Sequence, residues 1–230
     1  WQYSTDNGGS WTSVGSVSDS SALLLRSSDK LRFIPDGQNA TTGSVTFRAW
    51  DQTNGSAGTK VDVSANGGTT AYSSATATSN ITVTDVNDAP VLAGANDFST
   101  ISEDQTNNGG NTVASLVSGQ ISDVDAGAVN GIAVTSLTSG SGSWEYSTDN
   151  GSTWTSVGAV SDSSALLLRS TDKLRFIPDG QNSTTGSVTF RAWDQTNGSA
   201  GTKVDVSANG GTTAYSSATA TSNITVTDVN

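Results

Sequence analysis

A chain of 230 residues with 21 acidic and ten basic side chains carries a net charge of −11, which argues against a nucleic-acid backbone as partner. Cysteine and histidine are both absent, so Cys/His zinc sites, thiol nucleophiles and histidine-based triads are excluded. No apolar run approaches twenty residues, and no membrane insertion is expected in this segment.

The chain opens on Trp-Gln-Tyr-Ser-Thr-Asp-Asn-Gly-Gly-Ser-Trp, which reads as a hairpin. Trp1 and Tyr3 share a face, Asp6 to Gly9 supply the turn, and Trp11 starts the return. The apolar run Ala22-Leu23-Leu24-Leu25 predicts a buried strand or turn segment, and Leu31 to Gly37 a strand ended by Pro35. In Ser44 to Asp51 the alternation turns Val45, Phe47 and Ala49 one way and Thr46, Arg48 and Trp50 the other. A short strand at Lys60–Val63 follows, and then the longest alternating run, Ala75–Thr84, which delivers the chain into Asp85.

Residues Trp1–Asn87 then reappear as Trp144–Asn230, with six substitutions in 87 positions and a period of 143 residues. The stretch that occurs once, Asp88–Ser143, predicts strands at Val91-Leu92, near Ile101, at Thr112–Val117, near Ile121 and at Ile132–Leu137. Short strands, turn residues and no convincing helix imply an all-β protein built from antiparallel β-sandwiches. The expected division is 1–87, the C-terminal part of one repeat, and 88–230, a complete repeat. The leading part lacks a counterpart of 88–143, so both ends are read as cut from a longer array.

Acidic groups mark the strand ends. Asp85, Asn87 and Asp88 precede Pro90; Asp123 and Asp125 flank Val124; Glu103 and Asp104 are adjacent; Asp51 and its copy Asp194 each follow a tryptophan; and Asp228 and Asn230 close the chain. Oxygen donors without basic partners suit calcium, and crowded carboxylates raise one another's pKa until a cation relieves them. One gathering is expected from Asp85, Asn87, Asp88, Asp123, Asp125 and Asp194, and another from Glu103 and Asp104 with Asp228 and Asn230.

The linker phrase Asp85-Val86-Asn87-Asp88-Ala89-Pro90 resembles that of the cadherin-like, immunoglobulin-like tandem repeats of giant bacterial surface adhesins of the RTX type. The resemblance implies that Asp85, Asn87 and Asp88, with Asp123, Asp125, Asp194 and Glu103, are calcium ligands, and that Asp51 serves the preceding repeat. It implies a calcium-stiffened stalk, exported to the bacterial cell surface, that projects an adhesive tip in adhesion or biofilm formation. Its partners would be calcium ions and neighbouring repeats of the same polypeptide. A module that binds surface polysaccharide through Trp1, Trp11, Trp50, Trp144, Trp154 and Trp193, or that self-associates into a filament or matrix, is the alternative. No enzyme is expected, since nothing resembling a nucleophile with its base accompanies the acidic pairs.

Overall fold

The computed structural model describes residues 1–229, so the expected ligand Asn230 lies outside the described residues. The chain divides into two compact units, Trp1–Asp85 and Val86–Asn230. The boundary falls ahead of the expected one because Asn87 and Asp88 are hydrogen-bonded within the second unit.

The first unit contains β1 (Gln2–Ser4), β2 (Thr12–Ser13), β3 (Ala22–Leu23), β4 (Lys30–Arg32), β5 (Thr41–Phe47), β6 (Lys60–Val61) and β7 (Ala77–Val83). They form three small sheets, β2-β1-β4, β3-β6 and β5-β7. The second unit opens with β8 (Val91–Leu92), β9 (Ile101–Ser102), β10 (Asn111–Thr112), α1 (Val113–Leu116), β11 (Ile121–Ser122) and β12 (Gly131–Thr138). It continues with β13 (Gly142–Ser147), β14 (Thr155–Ser156), β15 (Ala165–Arg169), β16 (Lys173–Pro178), β17 (Thr184–Trp193), β18 (Lys203–Val204) and β19 (Ala220–Thr227). Its sheets are six-stranded (β18-β15-β12-β17-β19-β9), four-stranded (β10-β16-β13-β14) and two-stranded (β11-β8).

The hairpin forms as its residues dictate. Asn150 and Gly151 take positive φ, at 61° and 93°, a conformation that Asn tolerates and Gly adopts freely. The Asp149 carboxylate caps the turn by accepting from the N–H and hydroxyl of Thr153. Those hydrogen bonds hold its pKa down at about 2. Asp6 does the same for Ser10 in the first unit.

The apolar run of β15 is unbroken because both of its faces are covered. Leu166 and Leu168 join a core with Ile132, Val134, Trp144, Phe176, Phe190 and Ile224, while Ala165 and Leu167 join a second cluster with Ala133, Trp193, Val206 and Tyr215. β12 runs between β15 and β17, and Gly131 starts it where a Cβ would lie 2.7 Å from the Trp193 ring and 2.8 Å from the Leu168 carbonyl. Only glycine fits there without displacing backbone.

Three expectations need correction. The immunoglobulin-like, cadherin-like sandwich in tandem is not what forms: the sheets stay open, ending on short edge strands, and the topology is mixed, with β9 parallel to β19. Nor does one unit repeat the other's architecture, although the sequence recurs, because β12 and β9 build the large sheet and have no counterpart in the first unit. Second, the strand expected at Thr112–Val117 ends at Thr112, and Val113–Leu116 is helical. The Thr112 hydroxyl accepts from the Ser115 N–H and caps α1, whose Val113 and Leu116, three residues apart, both point into the core. Third, Trp193, expected to be available to a polysaccharide, is 2% exposed under Tyr215 and Val206, and Arg191 on the same face donates to the carbonyls of Ser216 and Ser217.

Candidate acidic site

Asp123 and Asp125 leave β11 in a turn rather than a strand, which is why two carboxylates two residues apart reach one place. The Asp123 Oδ1 accepts from the Asp125 N–H at 3.0 Å, and Gly127 completes the turn at φ 83°. Asp194 ends β17 in a similar way. Its Oδ1 accepts from both the N–H and the hydroxyl of Thr196, while Gln195 sits at φ 67°, strain that a non-glycine residue carries only when its surroundings impose it.

The segment that enters the second unit closes over these turns. The Asn87 Nδ2 donates to the Asp194 Oδ2 at 2.9 Å and to the Thr213 carbonyl at 3.1 Å. The Asp88 N–H donates to the Asp125 Oδ2 at 2.8 Å, and the Ala89 N–H to the Gly211 carbonyl. Asp88, Asp123, Asp125 and Asp194 are thereby tied to one locality with Asn87.

Charge in that locality is incompletely compensated. The Asp123 Oδ2 and the Asp125 Oδ1 are buried and accept no hydrogen bond. Burial, then the neighbouring charges of Asp125 and Asp194, push the Asp123 carboxyl above its usual range. Tyr215 is pushed up as well, by burial and by Asp194, and stays a neutral phenol. The donor set is entirely oxygen, the chemistry of a hard cation, and the two orphaned oxygens are positions that such an ion would satisfy. The carboxylates do not form a finished coordination shell: among the described residues no three acidic side chains meet the geometry of a metal centre.

The remaining expected ligands lie elsewhere. Asp85 belongs to the first unit, where its Oδ1 accepts from the Ala40 N–H. Asp51 is exposed there, and the hydroxyl and N–H of Thr53 hold its pKa down. Glu103 is 4% exposed; its Oε1 accepts from the Val229 N–H, and its Oε2 is buried without a donor. Asp104 and Asp228, its expected companions, are exposed. Two participants escaped the reading of the sequence: Thr196, whose Asp-x-Thr spacing is a local turn signal, and the Thr213 carbonyl, which no side-chain pattern announces.

No family model, no curated protein and no solved structure matches this chain. The resemblance to cadherin-like, immunoglobulin-like adhesin repeats is therefore withdrawn, together with the calcium-stiffened stalk and its adhesion and biofilm roles. That reading required like modules joined by a finished ion-clamped linker. The two units differ in architecture, Asp85 is engaged inside the first, and among the described residues no completed calcium centre is formed. The polysaccharide-binding alternative loses its basis too. Trp144 and Trp193 are buried, and Trp11 and Trp154 lie against the guanidinium groups of Arg32 and Arg175 at 3.9 and 4.1 Å.

Proposed function

We propose that the second unit is a non-catalytic structural domain that takes up one hard divalent cation, calcium being the expected ion, at Asp88, Asp123, Asp125 and Asp194. The observation that carries this reading is the pair of buried, donorless oxygens on Asp123 and Asp125 beside a third carboxylate. The ion would supply the positive charge that the site lacks, and Asn87 would orient Asp194 through its Nδ2. Its effect would fall within the unit, fastening the entering segment to the turns after β11 and β17. At the affinity of extracellular calcium modules, about 0.1 to 1 mM, such a site would be filled outside cells.

The test is thermal unfolding of the chain with and without calcium. At a hundredfold excess over Kd, binding to the folded state alone contributes about 2.7 kcal/mol, several degrees for a unit of this size. The Asp123→Asn chain should lose that shift. A midpoint indifferent to calcium, or an equal shift in the variant, would refute the proposal.

A further inference from the structure

We infer that Asn197 is a residue at which the folded chain modifies itself: the Gly198 main-chain nitrogen attacks the Asn197 side-chain amide, and the loop after β17 is left carrying an isoaspartate. No part of this requires the cation site. What decides it is which Asn-Gly pairs the fold holds still and which it leaves able to react.

Glycine after asparagine favours this reaction because no Cβ obstructs ring closure and the backbone can turn to allow it. Hydroxide takes the glycine N–H proton, the nitrogen bonds to the asparagine Cγ, and the side-chain nitrogen leaves as ammonia with a proton drawn from water. Water then opens the cyclic imide at either carbonyl, giving aspartate or isoaspartate. The fold must therefore leave a glycine N–H that is not already donating and a side-chain amide free to swing onto it.

The second unit contains five Asn-Gly pairs, and four are blocked. The Gly151 N–H donates to the Ser147 Oγ at 2.7 Å, and the Gly210 N–H to the Tyr215 carbonyl at 2.7 Å. Asn209 is further held through its Nδ2 by the carbonyls of Val206 and Ser207. The Asn108 Nδ2 donates to the carbonyls of Gln105 and Phe176, while its Oδ1 accepts from the Gly110 N–H. Gly131 is buried between the Trp193 ring and the Leu168 carbonyl, and the Asn130 carbonyl accepts from the Ser170 N–H and the Gln195 Nε2. Asn197 meets both requirements. It and Gly198 are exposed, and among the described residues neither the Asn197 side chain nor the Gly198 N–H makes a hydrogen bond. Its carbonyl accepts from the Trp193 indole N–H at 2.7 Å, which anchors the main chain while the side chain moves. The product acts on the loop itself. Gly198 is seated against Leu167, whose Cδ1 a Cβ there would strike, and the Gly201 N–H donates to the Leu167 carbonyl at 2.8 Å. An isoaspartate adds a carbon to the main chain ahead of Gly198, together with a negative charge, and so displaces that seat.

The experiment holds the full chain in mildly alkaline buffer, folded or in urea, and maps deamidated peptides by mass spectrometry over time. In the folded chain Asn197 should react about tenfold faster than Asn108, Asn150 and Asn209, which are released only by local opening. Asn54, whose carbonyl accepts from the Trp50 indole N–H at the same 2.7 Å, should react with it. In urea the preference should vanish. After modification the Gly201 amide should exchange faster with solvent, and Asn197→Gln, treated alike, should show no such change. Equal rates at Asn197 and Asn209 in the folded chain, a preference that survives unfolding, or unaltered Gly201 exchange in the modified chain would each overturn the inference.

Discussion

Trp1–Asp85 and its copy from Trp144 onward are nearly the same sequence in two surroundings. Strand β5 runs Thr41–Phe47, whereas its copy β17 runs Thr184–Trp193, and β3 spans Ala22–Leu23 against Ala165–Arg169 for β15. The residues that extend β15 and β17 are the ones that pair with β12. Strand length here is set by the neighbour rather than by intrinsic preference, which is what context-dependent β-propensity means in practice. The hairpin and the Tyr72/Tyr215 cluster, by contrast, form in both copies, so they are local properties of the repeated residues.

Truncating one position in both copies should break the symmetry most. Phe190→Ala empties a core position and is expected to cost about 3–5 kcal/mol, while Phe47→Ala should cost less than about 1 kcal/mol. Urea unfolding of the two variants, followed through probes in each unit, would measure the gap. Gly131→Val should come next, destabilising the second unit by about 1–3 kcal/mol through overpacking against Trp193 while leaving the first unit's transition unmoved.

The acidic site sharpens the comparison through pH. Because the folded pKa of Asp123 is raised, the folded state binds its proton more tightly than the unfolded chain does. Its contribution is then fully present below the unfolded pKa and is lost as pH rises through the folded value. Without calcium, Asp123→Asn should flatten that decline in the second unit's thermal midpoint and leave the first unit's profile unchanged. The smallest effect should also be symmetrical. Asp6 and Asp149 have depressed pKa values, so each hairpin's contribution is present above the unfolded carboxylate range and fades as pH falls. Replacing either by Ala should weaken its own hairpin similarly, as read by exchange of the Ser10 or Thr153 amide.

What could be read from the sequence was the local part. The hairpins, the strand at Ala75–Thr84 and the turn at Asp123–Asp125 follow from alternation and turn chemistry. The closure of Asn87 on Asp194 and of the Asp88 N–H on Asp125 joins residues far apart in the chain, which periodicity does not encode. Alternation correctly put Trp193 opposite Phe190, but it cannot say that a later loop bearing Val206 and Tyr215 covers that side. The resemblance drawn from the linker phrase failed for a related reason: an Asp-x-Asn-Asp sequence gives donors, and a topology must be argued from the strands that surround it.

Asp51 and Asp194 offer the sharpest contrast, since both bond the threonine two residues on and only Asp194 has Asn87 and the Asp123 turn beside it. A calcium titration followed by backbone amide resonances reads the two copies in one sample. Saturable shifts at Asp88, Asp125 and Thr196, with Thr53 unmoved, are the expected result. Shifts of equal size at Thr53 and Thr196, or none that saturate, would contradict a cation site built by the second unit.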